Sequence, residues 1–302
     1  MDVLVTGATG YTGSGVAGAL LAVGHRISGL ARSDESARRL EERGIRAVRG
    51  DITDAGSVRE AVGGAEAVVH AALIHGKGDE EAERTVVGAV LDVLRGTGRT
   101  FVYNSGVWVM GDTSEGMELA DENTRIDPPP MFAWRLAVEE WVLEAAQEDE
   151  VRTFVVRLGI AYGRVAGGTV GELVDLARER GATRYIVPLG DKSDSWALVH
   201  LDDLGDLYVR LLEVDAPGGT LLIAVSDSPH PAREIAEAAS RAGGAGGRVE
   251  VRPLQAALEE LGDYAYALAL NQRLSNKRAR RLLGWTPSAP SVFEELESGS
   301  YS

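Results

Sequence analysis

The chain has 302 residues, 44% of them hydrophobic and 25% charged, with a formal net charge of −15. That length and balance describe one large or two closely joined globular units, and the acidic excess argues against nucleic acid or an anionic membrane as partner, because both demand a positive face. The absence of cysteine excludes disulfides, thiolate metal sites and a cysteine nucleophile.

The first apolar run, Val3-Leu4-Val5, begins almost at Met1 with no basic leader before it. No apolar run reaches the roughly 18 residues of a membrane helix, so a soluble, cytoplasmic protein is expected. Short β-branched runs then alternate with amphipathic stretches of helical length. Strands are predicted near 2–6, 26–31, 45–49, 67–71, 100–104 and 152–158, and helices near 13–23, 34–43, 55–63, 79–97 and 131–147. The alternation predicts an α/β fold with a doubly wound parallel sheet. After Gly163 it becomes irregular: a helix near 169–180, an extended piece at 184–189, a strand at 197–200 entering an acid-capped helix at Asp202-Asp203, and a strand at 220–225 that rejoins the sheet. The sheet domain is therefore expected over 1–165, joined again by about 197–225. Residues 166–196 and 226–302 are expected to form a smaller C-terminal α+β lobe that binds the substrate.

The stretch "VLVTGATGYTGSGVAGAL" carries the strongest local signal. Gly7, Gly10 and Gly13 form G-x-x-G-x-x-G between a strand and a helix. Glycine there permits a tight turn and close backbone approach to a pyrophosphate, and the helix N-terminus offers unpaired N–H groups. Thr6, Gly7, Thr9, Gly10, Tyr11, Thr12 and Gly13 are the expected contacts.

This loop resembles that of the extended short-chain dehydrogenase/reductases, a superfamily that includes sugar-nucleotide epimerases and dehydratases and has a Rossmann-type domain. Further motifs carry the resemblance along nearly the whole chain: "GDITD" from Gly50, "HAA" from His70, "VMG" from Val109, "RLGIAYG" from Arg157, "VHLDD" from Val199 and "RRLLGWTP" from Arg280. The resemblance implies that Asp51 and Ile52 hold the adenine, that Ala71, Ala72 and Leu73 lie beside the ribose, and that Leu158, Gly159 and Ile160 belong to the cofactor site. Members that prefer NAD end the second strand with a carboxylate. Here Ala31 stands at that end, followed by Arg32 and Ser33, and a guanidinium suits the 2′-phosphate of NADP(H). NADP(H) is the expected cofactor and NAD(H) the lesser alternative, in which Asp34 would reach the ribose instead.

Members of the family handle the proton with a Tyr-x-x-x-Lys pair, and a Ser or Thr orients the substrate oxygen. With Glu139 as anchor, Arg135 stands in the lysine place and Met131 in the tyrosine place. Only three lysines exist, and the residues four before Lys77, Lys192 and Lys277 are Leu73, Pro188 and Arg273, so no second copy of the pair occurs. The Ser/Thr place holds Gly106. Ser105 is adjacent, but it reaches the site only if the strand end kinks, and it otherwise satisfies local backbone groups. Arg135 keeps a permanent charge that suits the ribose or an oxyanion, yet it cannot act as an acid. His75, Tyr103 and Tyr162 are the remaining titratable candidates, with His75 the first to test. Trp108 and Trp134 are expected to flank the substrate, or else to pack in the core. His200 reads as structural, and no metal is expected.

Three functions compete. The first is an NADP(H)-dependent reductase of a carbonyl or imine in a small, aromatic or apolar metabolite. The second is a redox-neutral lyase, cyclase or isomerase on the same scaffold, and the third is a non-enzymatic NADP-binding sensor similar to the NmrA-like regulators. The resemblance also implies a homodimer through the helices at 79–97 and 131–147, with Val86, Val90, Val138, Trp141 and Val142 serving that interface or the core.

Overall fold

The computed structural model describes residues 1–72, 78–113, 118–164, 167–188, 194–226 and 229–302. The first half alternates as β1 (Asp2–Thr6), α1 (Tyr11–Ala22), β2 (Arg26–Ala31), α2 (Asp34–Glu41), β3 (Arg46–Arg49), α3 (Ala55–Gly63), β4 (Ala67–His70), α4 (Asp79–Leu94), β5 (Thr100–Gly106), α5 (Trp134–Glu148) and β6 (Arg152–Leu158). Then follow β7 (Ile160–Tyr162), α6 (Gly168–Arg180), β8 (Thr183–Val187), β9 (Ser195–Trp196), β10 (Leu198–His200), α7 (Leu201–Glu213) and β11 (Thr220–Ala224). The chain ends with β12 (His230–Pro231), α8 (Ala232–Ala242), β13 (Val249–Pro253), α9 (Leu254–Leu261), α10 (Tyr264–Leu268), α11 (Lys277–Leu283) and α12 (Val292–Ser298).

Seven strands form one parallel sheet in the order β11-β6-β5-β4-β1-β2-β3. The chain winds outward from β1 through β2 to β3, then restarts at β4 on the other side. Strand order therefore reverses between β1 and β4, where the register pairs Thr6 with His70. A crevice opens at the carboxyl ends of the strands at such a switch point, and the glycine loop leaves β1 directly into it.

Each face of the sheet is covered by its own apolar layer. Val16, Leu20, Leu204, Leu207, Leu211 and Trp285 pack α1, α7 and the segment after α11 on one face. Val58, Val62, Val86, Val90, Val138 and Val142 pack α3, α4 and α5 on the other. At roughly 1.5–3 kcal/mol for each fully buried aliphatic side chain, these layers are the main stabilising term. They also settle the choice posed for the α4 and α5 valines: Val86, Val90, Val138 and Val142 are all 0% exposed within this single chain. Those four are core and cannot form a dimer interface, whereas Trp141 is half-buried against Gly88. A third cluster gathers Tyr162, Val170, Leu173, Trp196, Ile235, Ala239, Val292, Leu296 and Tyr301.

Three local differences from the sequence reading matter. The helix expected from Met131 starts at Trp134 instead, because Pro128, Pro129 and Pro130 hold the chain extended and release it through a 3₁₀ turn at Pro130–Phe132. The helix expected to reach residue 97 ends at Leu94, since Gly96 and Gly98 adopt positive φ. The cap of α7 is a histidine, not an acid: the Nδ1 of His200 accepts from the N–H of Asp202 at 3.0 Å. Among the described residues no helix is long and apolar enough to cross a membrane.

Candidate functional site

The glycine loop is shaped by contacts that leave no room for side chains. Gly7 has φ +72°, and a Cβ there would lie 2.6 Å from the N and Cα of Ala72. A Cβ on Gly13 would lie 2.2 Å from the Gly7 carbonyl oxygen. The Gly10 N–H closes the turn onto that same oxygen at 2.8 Å. Gly10 caps α1 with no side-chain acceptor, so the first-turn N–H groups are left for an external anion. These are the features a dinucleotide pyrophosphate requires, and the loop fits it. Thr9, Tyr11 and Thr12 stand on the loop, with the Thr9 carbonyl taken by the Arg39 guanidinium at 3.2 Å. Thr6 contributes backbone only: its hydroxyl is buried against His70 Nδ1 at 2.6 Å, which removes it as a side-chain contact.

At the adenosine end Arg32 is exposed, and no protein partner is seen for it among the described residues. Asp34 pairs with Arg49 at the surface, where both side chains are exposed. The Ser33 side chain caps α2 in a reciprocal box with Ser36, so it is occupied. Asp51 turns its Oδ1 onto the N–H and hydroxyl of Thr53, each at 3.0 Å, which folds the turn that carries the buried Ile52. Ala71 and Ala72 abut Gly7, whereas Leu73 and His75 lie outside the described residues. Leu158, Gly159 and Ile160 join β6 to β7, where a Cβ on Gly159 would press to 2.8 Å from the Ala197 carbonyl.

The corner around Arg135 holds a network centred on Glu83. Arg135 is only 8% exposed, and its Nη1 donates to Glu83 Oε1 at 3.1 Å and to the Tyr103 hydroxyl at 3.2 Å. Tyr103 donates to Glu83 Oε1 at 2.9 Å, and His70 Nε2 faces Glu83 Oε2 at 3.3 Å. Burial alone would raise the Glu83 carboxyl, but His70, Arg135 and Tyr103 together hold it below its ordinary value. Burial, reinforced by the Glu83 charge, pushes the Tyr103 phenol well above its usual range. This corrects the reading of Tyr103 as a proton donor: its hydroxyl is 0% exposed, already donates to Glu83, and does not ionise near neutral pH. Tyr162 is likewise committed, donating to the Pro290 carbonyl at 2.9 Å. Arg135 keeps Nε and Nη2 without a protein partner among the described residues, and its Cζ lies 4.4 Å from the centroid of the Trp134 ring.

Glu139, the anchor residue, is buried in a bidentate pair with Arg157. Met131 sits half-buried in the 3₁₀ turn ahead of α5. Strand β5 runs straight through Gly106 at φ −141° with no kink at Ser105. Ser105 is 5% exposed and its Oγ has no partner, so the local-backbone role is not seen either. A Cβ at Gly106 meets nothing within 4 Å.

The two tryptophans are not brought together. Trp108 packs with Phe132 and Tyr264, at centroid distances of 5.6 and 5.7 Å. Trp134 instead joins the α4/α5 layer and borders a groove with Asp79, Glu80 and Glu81. Glu83, Phe132 and Tyr264 were missed from sequence. For Glu83 a signal existed: it lies three and four residues before Val86 and Val87, a carboxylate set on the apolar stripe of α4.

Residues 3–224 match the model of the NAD dependent epimerase/dehydratase family, and the chain belongs to that family. An uncharacterised protein of Schizosaccharomyces pombe is 29% identical over the full length of both chains. The 2′-dehydrokanamycin reductase of Streptomyces kanamyceticus is 30% identical over 87% of this chain and 72% of its own. Among solved structures, the NAD complex of a UDP-glucose 4-epimerase from Thermus thermophilus superposes with a TM-score of 0.77 at 24% identity, covering 97% of this chain and 96% of that one.

Proposed function

We propose that the protein is an NADP(H)-dependent reductase of a carbonyl or imine in a small, aromatic or apolar metabolite. The observation that carries the proposal is the phosphate cradle with an exposed cation at its adenosine end: Gly7 and Gly13 admit only backbone, Arg32 is unpaired among the described residues, and Asp34 pairs with Arg49 at the surface. A reductase stands among the relatives at 30% identity. The cofactor, when bound, supplies hydride from its nicotinamide. In this reading Arg135 offers its free Nε and Nη2 donors to the ribose or to the oxygen that gains charge, held in place by Glu83 and Tyr103. Positioning alone can contribute about 7–11 kcal/mol, enough for hydride transfer without the usual pair. With Met131 unable to donate and Tyr103 committed, the proton for the new hydroxyl or amine comes from His75 or from water. Trp108, two residues after Gly106, packs with Phe132 and Tyr264, and this half-buried aromatic cluster favours a flat or apolar substrate.

A redox-neutral reading draws on Met131 and Gly106, which together leave no side-chain acid or hydroxyl at the family's two positions. Titration of NADPH and NADH by fluorescence, followed by a carbonyl and imine screen monitored by nicotinamide oxidation, separates the two. NADPH is expected to bind more tightly, and Arg32→Ala to weaken it roughly 10- to 100-fold while leaving NADH unchanged. Tighter NADH binding that ignores Arg32→Ala sinks the cofactor assignment, and product formed without net nicotinamide oxidation selects the redox-neutral reading.

A further inference from the structure

Tyr301, which no motif of the family explains, is only 2% exposed and reaches back to the start of the chain. The Tyr11 hydroxyl, on the first residue of α1, donates to the Gly163 carbonyl at 2.7 Å. The Gly163 N–H donates to the Tyr301 hydroxyl at 3.0 Å. With those two protons assigned, the 3.2 Å contact between the tyrosines is left for the Tyr301 proton, donated to the Tyr11 oxygen. The three bonds close a ring that joins the phosphate loop, the turn after β7 and the segment after α12.

Each member of that ring is fixed from outside. The Tyr11 ring fills the space over Gly167 and Gly168, where a Cβ would approach it to 2.6 and 3.0 Å. Gly163 has φ +92°, and a Cβ there would lie 2.1 Å from His200 Nε2. His200 Nε2 faces Glu295 Oε1 at 3.4 Å, while Glu295 Oε2 accepts from the N–H and hydroxyl of Ser300 at 2.9 and 2.5 Å. Arg178 donates to the Tyr301 carbonyl at 2.9 Å. Burial raises both phenols, so each keeps the proton that the ring requires.

We propose that Tyr301 is a positioning residue for the phosphate loop: by holding the Tyr11 hydroxyl it fixes the first turn of α1, and thereby sets the affinity for the dinucleotide. The proposal rests on reading the Gly7–Gly13 loop as a pyrophosphate site. First-turn N–H groups recognise phosphate only when aimed at it, so freedom at Tyr11 is expressed as lost affinity. Linkage makes the effect reciprocal, and a bound dinucleotide must stabilise the segment that carries Tyr301.

The test uses the full chain with NADP⁺ as probe. Tyr301→Phe keeps the ring and removes one oxygen, and is expected to weaken NADP⁺ about fivefold, the scale of one buried hydrogen bond. Tyr11→Phe is expected to give a similar loss, and the double variant little more than either alone. NADP⁺ is expected to slow amide exchange at residues 299–301 and at Gly163 in the native protein. If the native protein binds and Tyr301→Phe binds equally well, with a lowered melting temperature or without one, Tyr301 is merely structural and the proposal is overturned. If the tyrosine variants do not fold, the exchange experiment decides: unchanged protection at 299–301 overturns it. A native protein that binds no NADP⁺ overturns the pyrophosphate reading itself, and this inference falls with it.

Discussion

The two ends of the cofactor crevice are built from different materials. At the phosphate end recognition rests on main chain: Gly7 and Gly13 hold their positions because no side chain fits there, and α1 offers uncapped N–H groups. At the proposed nicotinamide end stand side chains drawn from β4, α4, β5 and α5, in which His70, Tyr103 and Arg135 converge on Glu83. A backbone site admits almost no substitution, because what it requires is the absence of atoms. A side-chain network can exchange its members as a set, provided that buried charge stays paired. In the proposed reading, the departure from the family's pair falls at the second end, while the first keeps its shape.

This contrast can be broken by substitution. Gly13→Ala should have the largest effect, since its Cβ would lie 2.2 Å from the Gly7 oxygen and the loop must open; dinucleotide affinity is expected to fall roughly 1,000-fold, about 4 kcal/mol, by fluorescence titration. Survival of tight binding would show that the cradle is less exacting than its geometry. Arg135→Ala comes next. It leaves the Glu83 carboxylate buried without its nearest cation, at a cost of about 3 kcal/mol in denaturant unfolding. Glu83→Gln should cost about 2 kcal/mol at neutral pH. Because the folded Glu83 pKa is depressed, its stabilisation is fully present above the unfolded value near 4.5 and is lost as pH falls through the folded one. The stability gap between native protein and Glu83→Gln should therefore be constant at neutral pH and close below about pH 4.5. A gap that widens in acid would mean that Glu83 is protonated in the folded protein. Gly106→Ser should do least: with φ −141° and open space around its Cβ, stability should change by no more than about 0.5 kcal/mol in the same assay.

The same contrast explains what could be read from sequence. The glycine spacing, the alternation of strands and helices and the cation at Arg32 are local signals, and the shape of the glycine loop is set within a few residues. The nicotinamide end was legible only as a gap, Met131 and Arg135 standing where a pair was expected. What fills the gap is Glu83, 52 residues from Arg135 along the chain, brought there by the packing of α4 on α5. Tyr103 illustrates the limit. Its residue type suggested an acid, and only the burial of β5 against α4 shows that its proton is already given away. Ser105, a catalytic candidate only with a kink at the strand end, lies in a strand that shows none.

The Glu83 carboxylate also constrains the routes by which this sequence can change. It receives bonds from three residues on three different elements, so the fitness of a residue at 135 depends on what stands at 83, 103 and 70. A lysine at 135 would present a more compact charge than a guanidinium and could not divide its planar donors between Glu83 and an outer partner. Installing tyrosine at 131 and lysine at 135 alone is therefore a path through a poorly paired intermediate. In the proposed reading, installing the family's pair is epistatic, and a library that seeks it should vary position 83 together with 131 and 135.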